Sequence, residues 1–309
     1  MRPVKLANPH LQIHFCVVLW GFTAVFGRLI SLPALPLVWW RMLLVAAMLA
    51  LFPRVWREVR RLPARLIGAY AAIGMVIALH WLTFYGSIKV ANASVGATCM
   101  ALGPVFLAVV EPLVVKRRFD FRELLLGAAM IPGVILVVGG VPAGMRLGIA
   151  IGALSAFLVA IFGTLNKRLV HHADPLAVTA IELTSGAALL TIVIAVMPGS
   201  ASSFMLPGLR DAGYLVILAA GCTIVPFTLS LVALRQLSAF ATQLAVNLEP
   251  VYAILLATFL LGEHRDLGPK FYAGVAIILT LVLIYPRIVR RTPAAAHPEE
   301  LSAVESVER

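Results

Sequence analysis

The sequence predicts an all-α integral membrane protein whose ten transmembrane helices form two inverted five-helix repeats. Three observations carry this reading. Of the 309 residues, 61% are hydrophobic and 13% charged, whereas about a quarter are charged in a soluble domain. The apolar residues fall into blocks of roughly 17 to 25 residues, each long enough to cross about 30 Å of hydrocarbon at 1.5 Å per residue. Finally, a shift of 146 residues lays Pro104, Val105 and Phe106 on Pro250, Val251 and Tyr252, Ala93 on Ala239, Leu102 on Leu248 and Asp120 on Asp266. The chain reads as one apolar unit written twice, as in repeat-built transporters.

The blocks span residues 11–31, 34–52, 66–87, 91–115, 123–141, 146–167, 176–197, 212–234, 239–261 and 268–288. The first follows Arg2 and Lys5 but is long and lacks an A-x-A-like cleavage site, so it reads as a retained helix and not a signal peptide. The second holds Arg41, and the third His80 and Tyr85. The fourth contains Pro104 and Pro112, and the fifth Pro132. In a membrane, neighbouring helices satisfy the backbone groups that proline frees, so these prolines mark kinks. The sixth carries Gly148-x-x-x-Gly152, a pattern for close helix packing. Glu182 lies in the seventh, Pro226 in the eighth, and Gln243, Asn247, Glu249 and Pro250 in the ninth. Continuous apolarity favours helices over barrel strands, which alternate over about ten residues. Residues 1–10 and 292–309 flank repeats at 11–141 and 142–291; the tail, with Pro293, Pro298 and four glutamates, has a disordered composition.

With the N-terminus inside, 18 of the 25 lysines and arginines fall on cytoplasmic segments, 5 outside and 2 (Arg28, Arg41) within spans. The positive-inside rule therefore predicts a multi-pass protein of the cell (inner or plasma) membrane with both termini cytoplasmic. The net charge of +11 has the same origin, so no nucleic-acid partner is invoked. Five helices per half is an odd number, which inverts the second half relative to the first. Cys16, Cys99 and Cys222 lie in spans without paired spacing, which suggests neither a metal site nor a disulfide.

The stretches LWGFTAVFGRLI, PALPLVWWRMLLVAAMLAL, ANASVGATCMALGPVF and LEPVYAILLATFLLGE resemble the drug/metabolite transporter superfamily, and within it the EamA-type ten-helix transporters. The resemblance covers roughly residues 11–288. The apolar E-P-V run ending at Gly262-Glu263 is its most specific part. It implies a membrane carrier without cofactor, usually an exporter of amino acids or other small metabolites, working by alternating access. It also implies that helices one to four and six to nine line the central cavity. In one departure, the fourth block ends in a basic run, KRRF, where its second copy has GEHRD; this fits opposite membrane sides and removes any symmetric ion-site argument.

Chemistry at membrane depth belongs to polar residues stranded there. Glu111 is within about a turn of Lys116 and reaches for the interface. Counting 1.5 Å per residue, Glu249 lies roughly 15 Å from either side and Glu182 roughly 9 Å from the cytoplasmic end. Gln243 and Asn247, four apart, share a helix face, with Glu249 beside it. Arg41 lies roughly 10 Å below the outer face. It stays charged there, and two readings stand: a structural pair with Glu249, or a fork holding a substrate carboxylate. Arg28 snorkels. His80, at the depth of Arg41, is either a neutral hydrogen-bonded histidine or a group binding substrate or a proton. Trp20 and Tyr85 either pack or stack on substrate. The substrate-binding candidates are thus Trp20, Arg41, His80, Tyr85, Gln243, Asn247 and Glu249; the proton-coupling candidates are Glu249, Glu182 and His80.

The expected partners are a small-molecule substrate and the lipid bilayer, with the chain a monomer or homodimer. A membrane-embedded enzyme or assembly factor is the alternative. It is disfavoured because no H-E-x-x-H helix, paired aspartates, nucleophile motif or phosphate loop appears.

Overall fold

Hydrocarbon offers the backbone no partners, so every N–H and C=O must be satisfied within the chain. In the computed structural model, which describes residues 8–116, 118–237, 245–246 and 248–288, the chain is all-helical, with no strand among the described residues. Helix α1 (Pro9–Leu29) starts where Asn8 accepts from the His10 amide and Pro9 opens the first turn, a position where its missing N–H costs nothing. Helix α2 (Ala34–Ala50) meets α3 (Pro53–Val59) at a 93° bend, because Pro53 cannot continue the hydrogen-bond ladder. The third block is α4 (Ala64–Val90). The fourth divides at Ala101–Leu102 into α5 (Ala93–Met100) and α6 (Gly103–Val115). The fifth divides at Met130, before Pro132, into α7 (Phe121–Ala129) and α8 (Ile131–Gly139).

In the second half, α9 (Arg146–Leu169) and α10 (Pro175–Val196) are continuous, the latter capped by Asp174. Helices α11 (Leu209–Ala219) and α12 (Val225–Gln236) are joined by a π-wound turn at Ala220–Ile224. Helix α13 (Glu249–Leu256) continues into a second π turn, Ala257–Leu261, and α14 (Pro269–Ile288) closes the described chain. Six spans are long and apolar enough to cross a membrane, seven with the bent α2–α3 pair; Leu125–Gly139, Glu249–Leu261 and Pro269–Leu281 are shorter apolar helices. Among the described residues the apolar blocks fall on helix, the ninth being described only from Ala245 onward and without residue 247. Leu51, Ile135, Ile192, Leu206 and Phe259 are exposed, as lipid-facing side chains are.

The two halves interlock with two-fold logic. Helix α1 packs on α12 and α13, and its counterpart α9 packs on α4, α5 and α6. Corresponding helices run antiparallel where they meet. Between α2 and α10, Trp39 donates to Thr191, a Cβ on Gly186 would meet Met42, and beyond them Arg54 reaches Asp174. Between α8 and α14, Gly133 faces Ile278 while the Gly140 carbonyl accepts from Gly268. Both registers descend on one helix as they rise on the other, so the repeats are inverted. In each half, too, a cation ending the third span caps the carbonyl that ends the first: Lys89 donates to Ile30, and Arg235, 146 positions later, to Val170 at 3.2 Å. The C-terminal pole of a helix favours such a cation.

Small residues set the closest approaches. A Cβ on Gly148 would lie 2.7 Å from that of Ala91, and one on Gly152 2.7 Å from Cys99 Sγ, as the GxxxG spacing predicts. The tightest is Gly74, where a Cβ would fall 2.0 Å from the backbone oxygen of Glu182 and 2.2 Å from Ser185 Oγ. Backbone cannot yield as a side chain does. Gly74→Ala is therefore expected to cost about 3 kcal/mol or more, read as a fall in melting temperature of purified protein. Gly68→Ala on the same helix, which meets nothing within 4 Å, should leave it unchanged.

Candidate functional site

The site is built around Arg41, which is 3% exposed. Its Nε donates to Thr223 Oγ1 at 2.8 Å, Nη1 to the Tyr85 hydroxyl at 2.7 Å and Nη2 to the Cys222 carbonyl at 3.5 Å. The guanidinium lies 3.7 Å from the ring centre of Trp81, a cation–π contact worth about 2 kcal/mol when desolvated. The acceptors come from a local defect in the eighth block. Pro226 has no N–H, so the carbonyl four residues back, that of Cys222, loses its helical partner. The chain winds into the π turn Ala220–Ile224, Thr223 Oγ1 donates to the Leu218 carbonyl at 2.7 Å, and the freed Cys222 oxygen turns to Arg41. Thus α2 supplies the cation, α4 the aromatic faces and the π turn the dipoles.

Glu249 opens α13 and is half-buried. It closes no ion pair with Arg41 and has no hydrogen bond among the described residues. Of the two readings of Arg41, the pair with Glu249 is not closed among the described residues, where neutral groups hold the guanidinium. A neutral shell forms because α4 and the π turn reach the guanidinium first.

The neighbouring candidates sort by contact. Tyr85 is fully buried and accepts from Arg41. His80, one turn before Phe84, lies against the carbonyl and hydroxyl of Ser155 on α9, with Nδ1 at 3.0 Å and 2.8 Å; Ser155 Oγ donates to the His80 carbonyl at 2.9 Å. A proton on Nδ1 satisfies all three contacts. The ring also packs against Phe162, centroids 5.3 Å apart. Trp20 is half-buried on α1 and, like Leu248 and Tyr252, packs against the cluster of Ile13, Cys16, Val17 and Ala233; α1 itself packs on the helix that begins with Glu249. Glu182, completely buried on α10, lies in the other half of α10 from the residues facing α2's Arg41 end. Gln243 and Asn247 lie outside the described residues. Arg28 is exposed at the end of α1. Sequence reasoning missed Trp81 as a cation contact, Cys222 and Thr223; the signal for the last two was Pro226.

It also assigned no chemistry to Glu263. This carboxylate, 4% exposed, accepts from the amides of Ala93 and Ser94 at 2.9 and 2.8 Å and from Ser94 Oγ at 2.7 Å. It sits on the unpaired N–H groups at the start of α5, where the helix dipole favours an anion. The G-E pair that ends the ninth block thereby ties it to the fourth.

With this geometry in view, three comparisons are informative. A model of the EamA-like transporter family matches the chain twice, over residues 10–139 and 146–285. An uncharacterized transporter of Pseudomonas aeruginosa is 26% identical over 292 residues, which is 89% of this chain and 93% of that one. A crystal structure described only as that of a protein aligns with a TM-score of 0.63 at 14% identity, over 93% of this chain and 99% of the other, a likeness of fold.

Proposed function

The chain belongs to the EamA-like transporter family, and from that premise we propose that it is a secondary carrier exporting amino acids or similar small zwitterionic metabolites. It works by alternating access, in the cell (inner or plasma) membrane, with both termini in the cytoplasm. The observation that carries the reading is a cation and a carboxyl group at membrane depth that form no pair among the described residues: Arg41, held there by neutral acceptors, and Glu249, which closes no ion pair with it. Burying charge in hydrocarbon is costly, so such groups mark substrate or ion paths. A zwitterion supplies what each lacks. Its ammonium goes to Glu249. Its carboxylate displaces the Cys222 carbonyl, at 3.5 Å the longest of the Arg41 contacts, and accepts the proton that Tyr85, itself an acceptor for Arg41, has left to give.

Uptake of labelled amino acids and other metabolites into proteoliposomes, with and without an imposed proton gradient, tests this. Saturable flux of at least one amino acid, about tenfold or more above empty liposomes, is the expected result. Enzymatic turnover of the same compounds without flux would move the protein to a different class. Topology is tested separately: a reporter after Arg291 should be cytoplasmic and one inserted within 199–206 on the far side. Both reporters on one side would overturn the proposed orientation.

A further inference from the structure

Away from the central site, three acceptor oxygens are buried together without partners. Both carboxylate oxygens of Glu182 and Oδ1 of Asn166 find no hydrogen bond among the described residues, although Glu182 is 0% and Asn166 5% exposed. The Asn166 amide stands beside the carboxylate without reaching hydrogen-bond geometry. Polar groups in that position cost free energy unless something completes them.

No cation does so. The charged and titratable groups at this end of the elements around α10 are Arg65 and Tyr70 of α4, Arg235 of α12, Arg54, Arg57 and Glu58 of α3, Lys167 of α9, and His171 and His172 of the preceding loop; α2 brings Arg41. Three of these cations are committed elsewhere. Arg235 donates to the carbonyls of Val170 and Ala173, and Lys167 to those of Leu234 and Leu237 at 3.0 and 3.3 Å. Arg54 pairs with Asp174 at 2.8 Å. Glu58 pairs with Arg61, and Tyr70 spends its proton on the Leu169 carbonyl. His171 and His172 are exposed.

The repeat sharpens the contrast. Helices α2 and α10 are the second spans of the two halves, and Arg41 and Glu182 are each the eighth residue of their helix. Inversion therefore sets them at like depths from opposite faces. The first position is fully furnished with acceptors; the second has been left with acceptors only.

We propose that Glu182 and Asn166 form a proton-binding site, separate from the central one, in the half of the molecule nearer the Arg54–Asp174 face. The step is the transfer of one proton from hydronium to a Glu182 oxygen, releasing water; the new O–H donates to Asn166 Oδ1. One proton thereby removes the buried charge and satisfies two of the three oxygens. A divalent metal ion fits less well, since hard cations such as Ca²⁺ and Mg²⁺ ask for about six or more oxygen ligands, and no group of three His, Cys, Asp or Glu side chains able to hold one occurs among the described residues. That this proton is the coupling ion rests on the transport reading given above.

Infrared difference spectra of the full-length protein in liposomes test the site without any substrate, with H⁺ and Na⁺ as probes. A protonated-carboxyl C=O band is expected near neutral pH. It should persist in Glu249→Gln, vanish in Glu182→Gln, reappear in Glu182→Asp and shift in frequency in Asn166→Ala. Absence of the band from the native protein, its survival in Glu182→Gln, or its removal by Na⁺ at fixed pH would each overturn the proposal. Coupling is read from flux of a labelled amino-acid mixture. Glu182→Gln should exchange amino acids at near-native rate but lose about tenfold of the pH-driven component, and a retained pH-driven component would overturn the coupling role. If the native protein moves nothing, the transport reading has failed while the infrared result still decides the site.

Discussion

Arg41→Met is expected to abolish transport, by about 100-fold or more, while leaving the protein folded and no less stable by more than about 2 kcal/mol. The unusual half of this expectation is the second. Each hydrogen bond of the guanidinium is worth about 1.5–3 kcal/mol as a charged contact, and Arg41 makes three, with the Trp81 face as a fourth contact. Against that stands the desolvation of a full charge, several kcal/mol even after relaxation. No anion among the described residues closes on Arg41 to offset it. A linear apolar side chain of similar length removes the desolvation cost together with the bonds, and the Thr223 hydroxyl keeps its own bond to Leu218. A group that gains the fold so little is explained by what it does when substrate arrives. Arg41→Lys separates charge from shape: an ammonium keeps the charge but not the planar fork, so flux should fall nearly as far. Melting curves and flux per folded molecule, measured together, check this. A collapse in melting temperature with normal flux in the surviving protein would make Arg41 a structural strut.

The fold was legible because hydrocarbon allows so few solutions. Blocks long enough to cross it had to be helices, and their ends coincide with signals the chain carries openly: Asn8–Pro9 starts α1, Asp174–Pro175 starts α10 and Asn92 starts α5. The inversion followed from the charge pattern and an odd helix count, and appears as the antiparallel contacts of α2 on α10 and α8 on α14. The breaks were less legible. A proline announces a defect but not its form; Pro226 produces a π turn, Pro53 a 93° bend and Pro132 a short interruption. Which form results depends on what lies alongside to take the freed carbonyl, and that is a tertiary fact.

The site was half legible for the same reason. Arg41, Glu182 and Glu249 stood out because each is costly at its depth, whatever surrounds it. Their partners did not stand out. The sequence offered Glu249 as the anion for Arg41, because depth counting sees only the membrane normal and says nothing of position around the bundle. Neutral acceptors, such as a backbone carbonyl and a tyrosine hydroxyl, leave no trace in a charge pattern. Glu263 was visible as part of a motif, but its target, the start of α5, is 169 to 170 positions away in the chain.

Glu249→Gln follows as the complementary expectation, and its readout is a change of specificity. If Glu249 receives the substrate ammonium, glutamine keeps the shape and can still accept one hydrogen bond, but it no longer offers a charge. Flux of zwitterionic amino acids should fall by about 100-fold, the scale set by losing a charged hydrogen bond of about 2–3 kcal/mol in a site shielded from water. The folded state should be unaffected, because Glu249 makes no hydrogen bond among the described residues and closes no pair with Arg41. Carboxylates of the same size that lack the ammonium should lose far less, since their remaining anchor is Arg41. Adding Arg41→Met to Glu249→Gln should remove that residual flux as well, and should not rescue stability, because there is no broken ion pair to relieve. A salt-bridge role predicts the reverse on every count: an unstable single variant, a double variant restored toward native melting temperature, and equal losses for zwitterions and simple carboxylates. Competition between an amino acid and its desamino analogue, measured on the two single variants and the double, separates the two accounts in one experiment.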